Sequence, residues 1–188
     1  PSLSDDVYRY VWDGRVQVAG HHPYKFAPAD PVRSELREGV VYPKINHPEI
    51  PTIYPPLAEM LFAALALANL GVTGFKIAFA LLDVGVIFAL ARLLRALGLP
   101  RDRVVWYAWN PLAVIEICAS GHVESLGILL VVSALVLLVE GKATAAGAAL
   151  GGAIQAKLLP LLLVPGFSRR VKTPALAALL AVVAAQAE

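Results

Sequence analysis

The sequence has little cysteine, little charge and none of the common soluble-enzyme signatures. Cys118 is the one cysteine among 188 residues, so an internal disulfide framework is excluded. It lies in an apolar run and reads as a packing residue. Charged residues make up 16% of the chain, hydrophobic residues 58%, and mean hydropathy is +0.67, which excludes an ordinary soluble domain. The composition is that of an integral membrane protein. Gly147, Gly151 and Gly152 lie in an apolar stretch with no strand before them, so they form no nucleotide-binding loop. They read instead as a small-residue face for close helix packing. A Gly-x-Ser-x-Gly elbow, zinc-type Cys or His spacings and a solenoid-length repeat are all missing. A soluble nucleotide-sugar or ATP enzyme is therefore not expected. The net charge of +2 comes from short basic runs between apolar spans, which implies no nucleic-acid partner.

What the chain does have is sharply partitioned. Residues 1–55 hold eight of the fourteen prolines and three of the four histidines, and the remainder is dominated by Leu, Ala, Val, Ile and Gly. The boundary marks a change of solvent. We read residues 1–55 as an extracytoplasmic loop with an amphipathic juxtamembrane helix, and residues 56–188 as a transmembrane helical region. The fold class is all-α, a polytopic transmembrane helical bundle. The chain opens in polar residues and closes in an apolar run, so an upstream transmembrane helix is expected outside it.

Ser4 is a helix cap, with Asp5 and Asp6 at the positive end of the dipole. Val7, Tyr10, Val11, Gly14 and Val18 recur at helical spacing, with Tyr8 and Trp12 as interfacial aromatics. This predicts a helix lying along the bilayer surface and ending near Gly20. An irregular Pro-rich passage follows to Pro56, with a helical turn around residues 32–38 and a stiff, extended stretch over 45–56. Residues 57–70 are too short to cross a bilayer, whereas 75–97 reach the ~20 residues a span requires. Arg92, Arg95, Arg101 and Arg103 place the next loop in the cytoplasm, which puts the polar break at residues 120–125 on the outer side. That topology holds if 57–70 do not cross; otherwise the arginine loop breaks the positive-inside rule. Residues 143–164 read as two half-helices meeting near Lys157, because one straight span would place Arg169, Arg170 and Lys172 outside.

Asp5 and Asp6 are candidate general bases for an acceptor hydroxyl, although a capped helix start accounts for them equally well. Arg9 sits four residues before Asp13 and pairs with it locally. It also counts, with Tyr54, among the candidate substrate-binding groups. His47 and Lys44 stand in the stiff loop, where a cation could neutralise a lipid phosphate. Adjacent His21 and His22 are a poor metal site. His122, Glu124 and Lys157 interrupt apolar spans, and ionisable groups there face a cavity or a partner. Asp83 is expected to pair with Lys76 or a neighbouring helix, and Glu116 stays unassigned.

Asp5-Asp6-Val-Tyr-Arg-Tyr-Val-Trp-Asp-Gly, Pro23-Tyr24, Ile45-Asn46-His47-Pro48 and Thr52-Ile53-Tyr54-Pro55-Pro56-Leu57 together resemble bacterial members of the GT-C glycosyltransferase superfamily. Gly121-His122-Val123-Glu124 and Lys157-Leu-Leu-Pro160 fit the same pattern. The pattern departs at His22, where Asn is expected before Pro23. The resemblance implies a polytopic enzyme of the bacterial inner membrane. It would move a hexose, often mannose, from a polyprenyl-phosphate donor to a lipid or glycan acceptor, commonly with inversion. It also implies that Asp6 is the base, with Asp5 second, and that Lys157, with His47 and Lys44, lies near the donor phosphate. It names no certain cofactor and leaves a divalent metal open, and a C-terminal half is expected beyond this chain. The rival classes are a transporter or lipid-handling protein, in which Glu124 and Lys157 line a passage, and a non-catalytic scaffold.

Overall fold

The computed structural model describes residues 4–168, and within them the chain is all helix and loop. The basic cluster at 169–172 and the apolar run from Pro174 lie outside the described residues.

Helix α1 (Asp6–Val18) begins where the Ser4 hydroxyl accepts the Asp6 amide at 3.2 Å. It ends at Gly20, whose positive φ of 79° lets the Ala19, Gly20 and His21 amides close on the carbonyls of Arg15, Gln17 and Val16. The stop at Gly20 matches the sequence expectation; at the start, Asp5 rather than Ser4 holds the cap position and Ser4 reaches in from one residue before it, and the setting differs too. Val7, Tyr10, Val11, Trp12 and Val16 are all buried, Tyr10 stacks on Phe62 at 4.7 Å, and Trp12 packs on Tyr42 at 5.3 Å. Trp12 is thus a core residue, and Val18, expected on the apolar face, is exposed. Helix α2 (Pro56–Leu67) and the Pro-rich loop cover α1, which makes it the centre of the main core instead of a surface helix. Gly14 permits the contact: a Cβ there would collide with the Phe62 carbonyl.

The loop contains a 3-10 helix of seven residues at Pro31–Arg37, capped by Asp30, and a single 3-10 turn at Tyr42–Lys44. Arg33, almost fully buried, ties it together by donating to the carbonyls of Phe26 and His22.

Helix α3 (Val72–Ala96) has 25 residues, about 37 Å at 1.5 Å per residue, and is the one described helix long and apolar enough to cross a membrane. Ile77, Leu81, Val84 and Phe88 leave one of its faces apolar and exposed. Asp83 within it accepts the Tyr107 hydroxyl at 2.5 Å, while Lys76 donates to the Ala119 carbonyl. The neighbouring-helix expectation for Asp83 therefore holds, and its pairing with Lys76 does not.

The apolar stretch between the arginine loop and the polar break is not one helix. It comprises a 3-10 turn at Arg101–Val104, the short α4 (Val105–Ala108) and α5 (Pro111–Ala113), and a π-helix at Val114–Ser120. Pro111 forces the restart, with the Asn110 side chain accepting the Leu112 amide. Cys118, expected to be packed, is exposed. Helix α6 (Glu124–Val139) and helix α7 (Ala143–Ala156) form an antiparallel hairpin about the turn at Gly141, φ 77°. Helix α7 breaks at Lys157, which is fully extended. A 3-10 turn at Leu159–Leu163 and the short α8 (Val164–Ser168) follow, as the half-helix reading anticipated.

Candidate functional site

The starts of two helices meet at one histidine. Asp6 is the first residue of α1 and Glu124 the first of α6, and His122 sits between them. Local backbone geometry fixes His122: Gly121 adopts φ 80° and closes the π-helix, so that its amide and that of His122 donate to the carbonyls of Ile117 and Glu116. A side chain at 121 would also meet the aliphatic stem of Lys76.

His122 Nε2 stands 3.5 Å from Asp6 Oδ2, and its Nδ1 stands 3.0 Å from Glu116 Oε2 and 3.9 Å from Glu124 Oε2. The other Asp6 oxygen, Oδ1, accepts the Asn46 side-chain amide at 2.5 Å. Glu124 Oε1 is bonded by the Lys157 ammonium. Asp6, His122, Glu124 and Lys157 therefore lie in succession with each neighbour within 3.9 Å of the next; the Glu124–Lys157 contact is a hydrogen bond, while His122 Nε2 and Glu124 Oε2 have no hydrogen-bond partner among the described residues. The hydroxyls of Ser120 and Ser125, on either side of His122, are buried and without a hydrogen-bond partner.

At its Lys157 end this run opens on an apolar groove of about 350 Å³. Gly127, Ile128 and Val131 of α6 form one wall, and Leu159, Pro160, Leu162 and Leu163 form the other. The second wall comes from the residues that follow the break in α7.

The other candidates fall elsewhere. Asp5 is exposed, and its side chain makes no capping bond. Lys44 reaches Tyr8, 3.3 Å from its hydroxyl, and His47 is exposed and faces Glu49 at 3.5 Å. Neither bonds to the Asp6–Lys157 run. Tyr54 packs edge-on against Tyr10 at 5.0 Å. Burial, with the charge of Asp6 next for Tyr54, raises both phenols above their ordinary range. Arg9 is buried: its Nε lies 3.0 Å from both Asp13 oxygens, and its terminal nitrogens donate to the carbonyls of His47 and Ile50. The local Arg9–Asp13 pairing is thus present, and it commits Arg9 to holding the loop on α1. Among the described residues, no three or more His, Cys, Asp or Glu side chains are arranged to hold a metal ion. The His122 ring separates Asp6 from Glu116.

Asn46 has no role of its own in the sequence reading, and Glu116 stays unassigned there. Asn46 lies in the Asn-His-Pro motif, which was the available signal. Glu116 gave none, because its partner is reached only through the π-helical turn.

Glu59, one turn into α2, anchors a second buried cluster. It accepts the Thr52 hydroxyl at 2.7 Å and the Gln17 amide at 2.7 Å, close to Asp13. Burial, then the Asp13 charge, pushes Glu59 up to about 8, and burial raises Asp13 as well despite Arg9. A carboxyl raised above its unfolded value holds its proton more tightly in the folded state. Its contribution is therefore complete below about pH 4.5 and is lost as pH rises through about 8. Thermal stability is expected to fall across that window in the wild type and to be flatter in Glu59→Gln. Thermal unfolding at several pH values checks this, and identical slopes would refute it.

Among the described residues, fold and site define a helical protein with one membrane-spanning candidate and a run of carboxylate, imidazole and ammonium groups at the mouth of an apolar groove. The family model described as Alpha-(1->6)-mannopyranosyltransferase, N-terminal domain, matches residues 1–185, and the chain belongs to that family. The family is one of mannosyltransferases, which favours the glycosyltransferase expectation over the transporter and scaffold readings. No curated protein and no solved structure matches the chain.

Proposed function

We propose that the protein is a GT-C type, polytopic enzyme of the bacterial inner membrane that transfers mannose from a polyprenyl-phosphate donor to a hydroxyl of a glycan or lipid acceptor. Residues 1–55 are its extracytoplasmic loop and 56–188 part of its transmembrane region. The observation that carries the reading is the succession from Asp6, through His122 and Glu124, to Lys157 at the polar end of an apolar groove.

A prenyl chain suits a groove walled by Leu, Ile, Val and Pro, and a phosphate suits the ammonium at its mouth. Asp6 stands one imidazole away, with Oδ1 held by Asn46 and Oδ2 left to accept a proton. In the reaction, the acceptor O–H bond breaks as Asp6 Oδ2 takes the proton. The acceptor oxygen bonds to the anomeric carbon while the bond from that carbon to the phosphate oxygen breaks. The phosphate leaves with the electron pair, and Lys157 stabilises the charge. Direct displacement inverts the carbon, so the α-(1→6) product named by the family description requires a β-linked donor.

The test uses membranes containing the full-length protein, given labelled polyprenyl-phosphate mannose or labelled GDP-mannose in the absence of polyprenyl phosphate. Transfer from the lipid donor alone is expected. Transfer from the nucleotide sugar alone would refute the reading.

A further inference from the structure

We infer that the arginine end of the α3–α6 pair is a binding site for an anionic phospholipid, whose phosphate meets Arg92 and whose acyl chain lies in the groove between the two helices. The inference rests on the reading that α3 crosses the membrane with its arginine end in the cytoplasm.

Helices α3 and α6 run in the same direction. Lys76, near the start of α3, reaches Ala119 just before α6, and Arg92, near the end of α3, reaches Glu140 just after α6. Towards that second end the pair leaves a groove of about 340 Å³, lined by Phe88, Ala89 and Arg92 of α3 and by Ser133, Val136 and Leu137 of α6. Its walls are apolar apart from Ser133, and Arg92, one turn beyond Phe88, stands at its head. On α3, Ile77, Leu81, Val84 and Phe88 are exposed and recur every three or four residues, and the same spacing continues through the exposed Arg92 and Arg95. One face of the helix therefore carries an apolar stripe that ends in two guanidinium groups. From Ile77 to Phe88 the stripe rises about 16 Å, one leaflet of a ~30 Å hydrocarbon core. This head lies at the far end of α6 from Glu124, about 24 Å along the helix, so it is separate from the groove beside Lys157.

The charges at this end suit a phosphate. The Glu140 carboxylate accepts Arg92 Nε at 2.8 Å and Nη2 at 2.9 Å, and Lys142 donates to the same carboxylate at 2.8 Å. Glu140 thus orients the guanidinium while Nη1 is left without a hydrogen bond among the described residues. The side chains of Arg95, Arg101 and Arg103 are exposed and make no hydrogen bond or ion pair among the described residues. Five cations, Arg92, Arg95, Arg101, Arg103 and Lys142, stand against two acids, Asp102 and Glu140, an excess of three positive charges. A ligand with an anionic head and a hydrocarbon chain matches both parts, and the cytoplasmic leaflet is the one that carries anionic lipid. A packed protein helix would cover the stripe but bury arginines without a counter-charge.

The experiment mixes the full-length protein in detergent with equal amounts of phosphatidylglycerol and phosphatidylcholine of the same acyl chains, and quantifies retained lipid by native mass spectrometry. Phosphatidylglycerol is expected to be retained about 10-fold over phosphatidylcholine, and the preference to fall to about twofold in the double variant Arg92→Gln, Arg95→Gln. Ala89→Phe fills the groove and leaves every charge in place, and it is expected to lose phosphatidylglycerol to a similar extent. Lys25→Gln, in the Pro-rich loop, should change neither. Equal retention of the two lipids by wild type would overturn the site. So would an unchanged preference in an arginine variant of wild-type thermal stability, or unchanged retention by a stably folded Ala89→Phe, the result expected if a protein segment covers the groove. Displacement of the lipid by inorganic phosphate alone would also overturn it, in favour of a free anion. Topology is tested apart: Asp102→Cys is expected to gain labelling by a membrane-impermeant maleimide in inverted vesicles and not in right-side-out ones. The reverse pattern overturns the cytoplasmic placement, whereas the detergent comparison does not depend on orientation, so the two failures are distinguishable.

Discussion

Asp6→Asn is expected to lower mannosyl transfer by about 10²–10⁴-fold, the range general-base catalysis contributes, while leaving expression and thermal stability near wild type. The change is isosteric. The Ser4 hydroxyl still accepts the residue 6 amide, so the start of α1 is unaffected, and Asn46 still finds a carbonyl oxygen at the Oδ1 position. What is lost is Oδ2. An amide nitrogen in its place cannot take a proton from a hydroxyl. The deficit should fall on kcat, because the groove and the Lys157–Glu124 pair are untouched. Asp5→Asn supplies the control: that side chain is exposed and makes no capping bond, so near wild-type rates are expected. A steady-state transfer assay on both variants checks the assignment. Wild-type turnover by Asp6→Asn would remove Asp6 as the base, and a larger loss in Asp5→Asn would move the role to Asp5.

Much of this arrangement was legible in the sequence where the governing interactions are local. The start of α1 near Ser4 and its stop at Gly20, the proline start of α2, the long apolar run of α3 and the break at Lys157 all follow from neighbouring residues, and all are present. The failures share a cause, which is that burial depends on partners distant along the chain. Trp12 resembles an interfacial anchor by type and spacing. It is buried because Tyr42, from the Pro-rich loop, folds back onto the face of α1 that would otherwise meet solvent or lipid. Glu116 had no reading because the π-helix changes the angular step per residue, so 3.6-residue counting misplaces its side chain. His122 and Glu124 were recognisable as polar breaks in apolar sequence. Their contact with Asp6 needed α1 and α6 to be brought start to start, a long-range event that periodicity does not encode.

The second large effect concerns stability. Arg9→Met is expected to destabilise the protein by about 3–5 kcal/mol, the usual cost of leaving a buried ion pair with one partner. Arg9 and Asp13 are 6% and 3% exposed at their side chains, so water does little to screen the charge left behind. Glu59, buried beside Asp13, holds its proton up to about pH 8 and supplies no cation to replace the Arg9 charge. The substitution also removes the donors to the His47 and Ile50 carbonyls, which hold the Pro-rich loop against α1. That loop supplies Asn46 to Asp6, so weakened transfer should accompany the loss of stability. Pairing the change with Asp13→Leu separates the contributions. An apolar pair of similar volume removes the orphaned charge, and replacing buried ion pairs in this way is often neutral. The double variant should therefore recover most of the unfolding free energy lost by Arg9→Met, keeping only the deficit of the two carbonyl bonds. Denaturant or thermal unfolding of the single and double variants provides the measurement. Equal destabilisation of both would mean that the loop bonds of Arg9, and not its charge on Asp13, hold this part of the fold together.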